Sequence, residues 1–208
     1  MMKLAIFDMD GTLTCSTSVW NGVTESYFTS IGCPLPSNYK QIIHGFTFVE
    51  AMEWCIKEFG LTATPEQLIY NQYLTIKQKY AAVGLKPHVQ EYLQYLQSQG
   101  VRTCVATLAN DYIAKDVLTA HGIYHYFDFV LSAVNEQTSK REPDLFLKCA
   151  AQYDLLPGQC TVFEDSAVAL HTAKGAGFCT VGVEDPSNRL AECGDCDMVI
   201  SDYLQLIK

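Results

Sequence analysis

Asp8 and Asp10 stand directly after the apolar run Leu4–Phe7 and directly before Gly11, and a second pair of acids, Glu164 and Asp165, ends another apolar run at Val162-Phe163. A short run of this kind reads as a buried strand, and a carboxylate at its end is costly unless it meets a metal, a hydrogen-bond donor or water. Side chains alternate along a strand, so residues 8 and 10 point the same way if extended geometry persists, while Gly11 permits a sharp turn just beyond them. Both carboxylates could then address one ligand. A turn carrying two solvated acids would have the same local sequence, so the choice rests on what else the fold brings to that turn. If the ligand is a cation, a site of few carboxylates suits magnesium, which prefers octahedral oxygen coordination and keeps several waters.

The elements that must position these acids follow from the pattern along the chain. After about residue 84, short apolar runs alternate with segments of helical periodicity. Strands are expected at Arg102–Thr107, Phe129–Leu131, Cys160–Phe163, Cys179–Val183 and Met198–Ile200. Helices are expected after Asp111, from Pro143-Asp144 through Tyr153, and after Ser166, with Gly100, Gly122 and Gly177 as stops. Parallel strands joined by crossover helices make a doubly wound sheet. Between Leu13 and about Tyr80 the character changes to aromatic residues at helical spacings, broken by Pro34, Pro36 and Pro65. The expected architecture is therefore α/β: a Rossmann-like doubly wound parallel sheet core from residues 1–14 and 84–208, with an inserted α-helical bundle at 15–83.

Four segments in this order resemble the motifs of the haloacid dehalogenase-like superfamily. Asp8-Met-Asp-Gly-Thr12 is similar to the first, Val105-Ala-Thr107 to the second, Lys140-Arg-Glu-Pro-Asp144 to the third and Phe163-Glu-Asp165 to the fourth. Each fragment alone is weak; the ordered set, each placed after an expected strand or before an expected helix, is specific. The resemblance covers the whole chain and implies that the inserted helices form a cap domain. It implies further that Asp8 is a nucleophile taking up a phosphoryl group, and that Asp10 is the general acid and base. Thr107 and the backbone amide of Leu108 would bind phosphate, and Lys140 would screen Asp8 from the anionic substrate. Magnesium would be held by Asp8, Asp165 and the Asp10 carbonyl, with Glu164 acting through water or orienting the ligands. Ser139 precedes Lys140 where relatives commonly have Gly, and Ala169 likewise replaces a Gly; neither change removes a ligand.

Within that superfamily the implied reaction can be narrowed. Hydrolytic dehalogenases lack an acid at the position of Asp10, and phosphonate cleavage would need a desolvated cap lysine, which nothing marks in Lys40 or Lys57. Sugar-phosphate mutases carry a cap Arg in the stretch matching Gly45-Phe-Thr-Phe48, and here Phe48 stands in its place, which forfeits a bidentate phosphate anchor. Trp20 occupies a position where such mutases tend to have His. The expected function is a magnesium-dependent phosphatase of small phosphorylated metabolites, sugar phosphates among them, with Trp20, Phe46, Thr47 and Phe48 setting specificity. Cap-core packing of those aromatics, a β-phosphoglucomutase-type mutase, and a noncatalytic phosphometabolite sensor are the competing readings.

Composition constrains the partners. Fourteen basic against 23 acidic residues give a net charge of −9 over 208 residues, which opposes nonspecific binding to nucleic acid or anionic lipid. A phosphate substrate is repelled as well, so its binding needs local cations and backbone amides. No apolar run reaches membrane-spanning length and the chain enters a strand without a signal-like leader, so a cytoplasmic protein, monomeric or dimeric, is expected. The nine cysteines read as reduced core residues; Cys193-Gly-Asp-Cys196 has a metal or redox spacing but no second pair.

Overall fold

The computed structural model describes residues 2–186, 188, 190 and 196–207. The chain divides into two compact units, Met1–Thr17 with Val83–Lys208, and Ser18–Ala82. It opens with β1 (Leu4–Phe7) and enters the second unit, which supplies α1 (Val23–Ser30), α2 (Tyr39–Ile42), α3 (Phe48–Phe59) and α4 (Pro65–Ala82). It returns through α5 (Val89–Ser98), β2 (Arg102–Thr107), α6 (Asp111–Ala120), β3 (Val130–Ser132), α7 (Asp144–Ala151), β4 (Cys160–Glu164), α8 (Ala167–Gly175), β5 (Cys179–Val183) and β6 (Met198–Ile200). A 3₁₀ turn at Tyr203–Leu206 follows.

Among the described residues the strands form one sheet in the order β3-β2-β1-β4-β5-β6, every pair parallel. The chain builds outward from β1 to β3, then crosses back to lay β4 against the other side of β1. That reversal opens a crevice at the carboxyl ends of β1 and β4, where ligands bind in open α/β sheets. The fold is an α/β, Rossmann-like doubly wound sheet with an inserted helical bundle.

Alternation along β1 explains both faces. Leu4 and Ile6 belong to a core with Leu145, Phe146 and Cys149 of α7 and Ala169 and Ala173 of α8. Phe7 faces the other way, stacked on Phe163 at 4.4 Å between ring centroids and edge-on to Tyr92 of α5. Tyr203 completes that second layer, 5.4 Å from Tyr92, and its hydroxyl donates to the Thr12 carbonyl at 3.1 Å. All four residues of β1 are fully buried, so the first polar side chain on the strand, Asp8, emerges at the edge of a dry core.

Three local expectations shift. The strand expected at Phe129–Leu131 lies one residue later, because pairing with β2 runs from Val105↔Val130 to Thr107↔Ser132. The helix expected to reach Tyr153 stops at Ala151, where Tyr153 and Leu155 both donate to the Ala150 carbonyl and Asp154 takes φ 53°. Asp111 is the first residue of α6 rather than its cap; Asn110 holds the extended cap position.

In the second unit, Phe28, Met52, Cys55, Leu68, Ile69, Tyr73, Ile76 and Tyr80 form a buried interior. Thr47 starts α3 with a reciprocal capping box, accepting from the Glu50 amide at 3.2 Å while its own amide donates to the Glu50 carboxylate at 2.6 Å, and Gly60 ends the helix at φ 61°. No helix among the described residues is long and apolar enough to cross a membrane. Of the cysteines expected in the core, Cys55, Cys104, Cys149 and Cys160 are buried, but Cys15 and Cys179 are exposed and Cys33 and Cys196 only partly covered, because they sit in loops or at a strand's exposed first residue; Cys193 lies outside the described residues.

Candidate active site

The ladder between β1 and β4 continues one step past Phe7, where the Asp8 amide donates to the Phe163 carbonyl at 2.9 Å. Beyond it the chain turns on the Met9 carbonyl, which accepts from the amides of Leu13 at 2.9 Å and Thr14 at 3.0 Å and from the Thr14 hydroxyl at 3.1 Å. Gly11 makes the turn possible with φ 85°. A Cβ there would lie 2.7 Å from both Asp165 Cγ and Thr17 Cγ2, so backbone and acid are packed together where only glycine fits.

Because β1 and β4 are neighbours in register, Phe7↔Phe163, their terminal acids meet. Carboxylate oxygens of Asp8, Glu164 and Asp165 lie within 4.8 Å of one another, and all three residues are buried. Lys140 enters this cluster from the loop before α7. Its ammonium contacts Asp8 Oδ1 and donates to Glu164 Oε1 at 2.6 Å, with 7% of its side chain exposed. The second Glu164 oxygen accepts from the Ser166 amide at 2.9 Å, and Asp165 Oδ2 accepts from Asn188 Nδ2 at 2.5 Å.

The electrostatics follow from three carboxylates sharing one ammonium. Burial would lower the pKa of Lys140, but contact with Asp8 and Glu164 outweighs it and holds the ammonium charged. Burial pushes Glu164 up to about 7, with Lys140 opposing and the charge of Asp8 adding to the rise. Asp165 is pushed up to about 8 by burial, then by Asp8 and Glu164, against the bond from Asn188. The site therefore carries surplus negative charge in an all-oxygen donor set. That is what a hard divalent cation neutralises, so these residues fit a metal of the magnesium or calcium kind.

Asp10 is not one of those three clustered carboxylates. It is half-buried, and the Ser16 hydroxyl donates to its Oδ1 while lying 2.7 Å from the Thr14 hydroxyl. Thr107 ends β2, beside β1, and its carbonyl accepts from the Ala133 amide at 2.8 Å. The Thr107 hydroxyl accepts from the Ala109 amide at 3.0 Å, which leaves its own proton for another acceptor. Leu108 is 58% exposed, unusual for a leucine between a strand and a helix. In the second unit, Trp20 packs edge-on against Phe48 at 5.8 Å and Tyr80 at 6.0 Å, while Phe46 is exposed and Thr47 caps α3.

Sequence reasoning did not find Ser16 or Asn188. Ser16 follows Asp10 by six positions in a segment too short for a strand or helix, and its burial as a polar residue is the only sign. Asn188 lies 23 positions beyond Asp165, past β5, and no spacing links the two.

The haloacid dehalogenase-like hydrolase model matches residues 2–177, most of the chain, and the protein belongs to that family. The validoxylamine A 7′-phosphate phosphatase of Streptomyces hygroscopicus subsp. limoneus is 26% identical over 207 residues, covering 99% of this chain and 96% of that protein. The β-phosphoglucomutase of Bacillus subtilis (strain 168) is 25% identical over 195 residues, covering 88% and 83%. In fold, the chain matches CbbY from Rhodobacter sphaeroides, solved in complex with phosphate, with a TM-score of 0.82 at 19% identity, covering 99% and 96%. Relatives within the family thus include named phosphatases and a named phosphomutase.

Proposed function

We propose that this protein is a magnesium-dependent phosphatase of small phosphorylated metabolites, sugar phosphates among them, that carries the phosphoryl group transiently on Asp8. The observation that supports it best is the buried Asp8–Lys140–Glu164 contact with Asp165 alongside. An acid held against an ammonium is a nucleophile whose approach to an anion is screened. Phosphatases among the relatives point to the same chemistry.

In this reading an Asp8 oxygen attacks phosphorus and the bond to the leaving oxygen breaks, while Asp10, held by Ser16, gives that oxygen its proton. Asp10 then takes a proton from water; the water attacks the aspartyl phosphate, and cleavage of the phosphorus–Asp8 bond releases inorganic phosphate. Thr107 donates its hydroxyl proton, and Leu108 its amide, to the phosphoryl oxygens. Asp8, Asp165 and the Asp10 carbonyl would hold magnesium, with Glu164 supporting them, and the ion would supply neutralisation of the phosphoryl charge. We assign the helical insertion the role of cap, with selectivity carried by Trp20, Phe46 and Phe48.

The mutase reading draws on the β-phosphoglucomutase relative. Phe48 opposes it, since a ring supplies neither the charge nor the paired donors that would hold a second phosphate. Product analysis on a sugar-phosphate panel separates the two: with MgCl2 the phosphatase releases inorganic phosphate and EDTA stops it. Isomerised sugar phosphate without phosphate release, dependent on a bisphosphate primer, would overturn the reading.

A further inference from the structure

Beyond the acids themselves, the turn after β5 carries a small buried polar assembly. Lys86 Nζ donates to Asp185 Oδ2 at 2.8 Å and to the Glu184 carbonyl at 2.7 Å, and the two side chains of this ion pair are 6% and 2% exposed. Thr17 Oγ1 donates to the other Asp185 oxygen at 2.8 Å. Lys86 and Thr17 both belong to the paired segments through which the chain leaves for the insertion and comes back. There the Cys15 amide donates to the Gly84 carbonyl and the Lys86 amide to the Leu13 carbonyl, each at 2.9 Å. On the other side, Asp185 and Asn188 form an antiparallel bridge, with the Asn188 amide donating to the Asp185 carbonyl at 3.0 Å. Asn188 then places its side-chain amide on Asp165 Oδ2.

We infer that Asn188 is a positioning residue for the metal carboxylate Asp165, and that the Lys86–Asp185–Thr17 assembly anchors Asn188 to the linker. Asp165 is pressed against Gly11 on one side and engaged through Oδ2 by a neutral donor, so its orientation is set, and a carboxylate oxygen of it lies in the cluster with Asp8 and Glu164. A buried ion pair is expensive to desolvate unless its hydrogen bonds are complete. Here both Asp185 oxygens accept, and the ammonium has two acceptors. The pair therefore fixes Asp185, to which Asn188 is bridged, without contacting a reacting atom. Partners that orient a ligand in this way are typically worth about 10–100-fold in metal affinity.

The inference rests on the proposed role of Asp165, and the experiment separates the two. The magnesium dependence of Tm at fixed alkaline pH gives an apparent Kd for Mg2+ without using turnover. Asn188→Ala is expected to raise that Kd about 10-fold or more. Thr17→Val, which removes one hydrogen bond to Asp185, is expected to weaken Mg2+ several-fold, and Thr17→Ser to restore it. Wild-type Mg2+ affinity in either Asn188→Ala or Thr17→Val would overturn the inference. Wild-type Mg2+ affinity in Asp165→Asn would instead sink the metal assignment on which it rests.

Discussion

Residues in the acid cluster were legible as chemistry because each acid ends a recognisable apolar run. What one-dimensional reading does not reveal is how they share charge. Glu164 and Asp165, at about 7 and 8, hold protons in the folded chain that the unfolded chain, with pKa values of 4.5 and 3.8, has already released. The folded state therefore binds more protons than the unfolded state between about pH 4 and pH 8, and stability contributed by this site falls as pH rises through that window. Lys140, whose pKa is raised, stays charged throughout. Magnesium bound as proposed would displace those protons, so it would restore most stability where the loss is greatest. Thermal unfolding in EDTA should show Tm declining towards pH 8, with a larger MgCl2-induced rise at pH 8 than at pH 6. An equal rise at both values would contradict this charge balance.

At the scale of elements, the order of strands places the site. Register between β1 and β4 brings Asp8 beside Glu164, and Gly11 lets the following turn fold back against Asp165. The expected strands and helices were found to within a residue or two because buried parallel strands and capped helices leave strong local signals. Contacts made by loops left none: Asn188 and Lys86 act through tertiary neighbours in the chain's irregular stretches. Thr47-Phe-Val-Glu50 is also a capping-box pattern legible in the sequence, so the Thr47 side chain has a local role in starting α3 besides the specificity role proposed for its stretch. Thr47→Ala should cost about 1 kcal/mol in urea unfolding and Thr47→Ser much less. Turnover lost in Thr47→Ala but kept in Thr47→Ser, with stability unchanged in both, would instead assign the hydroxyl to substrate.

For the whole molecule, a net charge of −9 repels phosphate, and the one cation in the acid cluster among the described residues, Lys140, is already engaged by Asp8 and Glu164. In the proposed reading, phosphoryl chemistry would therefore need a divalent ion to reverse the local sign and would pass through a covalent intermediate that never leaves the protein. The two half-reactions of that mechanism would place different demands on Asp10. p-Nitrophenolate departs without needing a proton, whereas hydrolysis of the aspartyl phosphate needs a base. The most direct measurement follows: mix Asp10→Asn with p-nitrophenyl phosphate and MgCl2, record nitrophenolate release over the first turnover, and weigh the intact protein. The account predicts a burst of about one equivalent, then a stall, with one phosphoryl group added to the protein and neither burst nor adduct when Asp8→Asn is present as well. Steady turnover at the wild-type rate without a burst, or an adduct that survives Asp8→Asn, would contradict it.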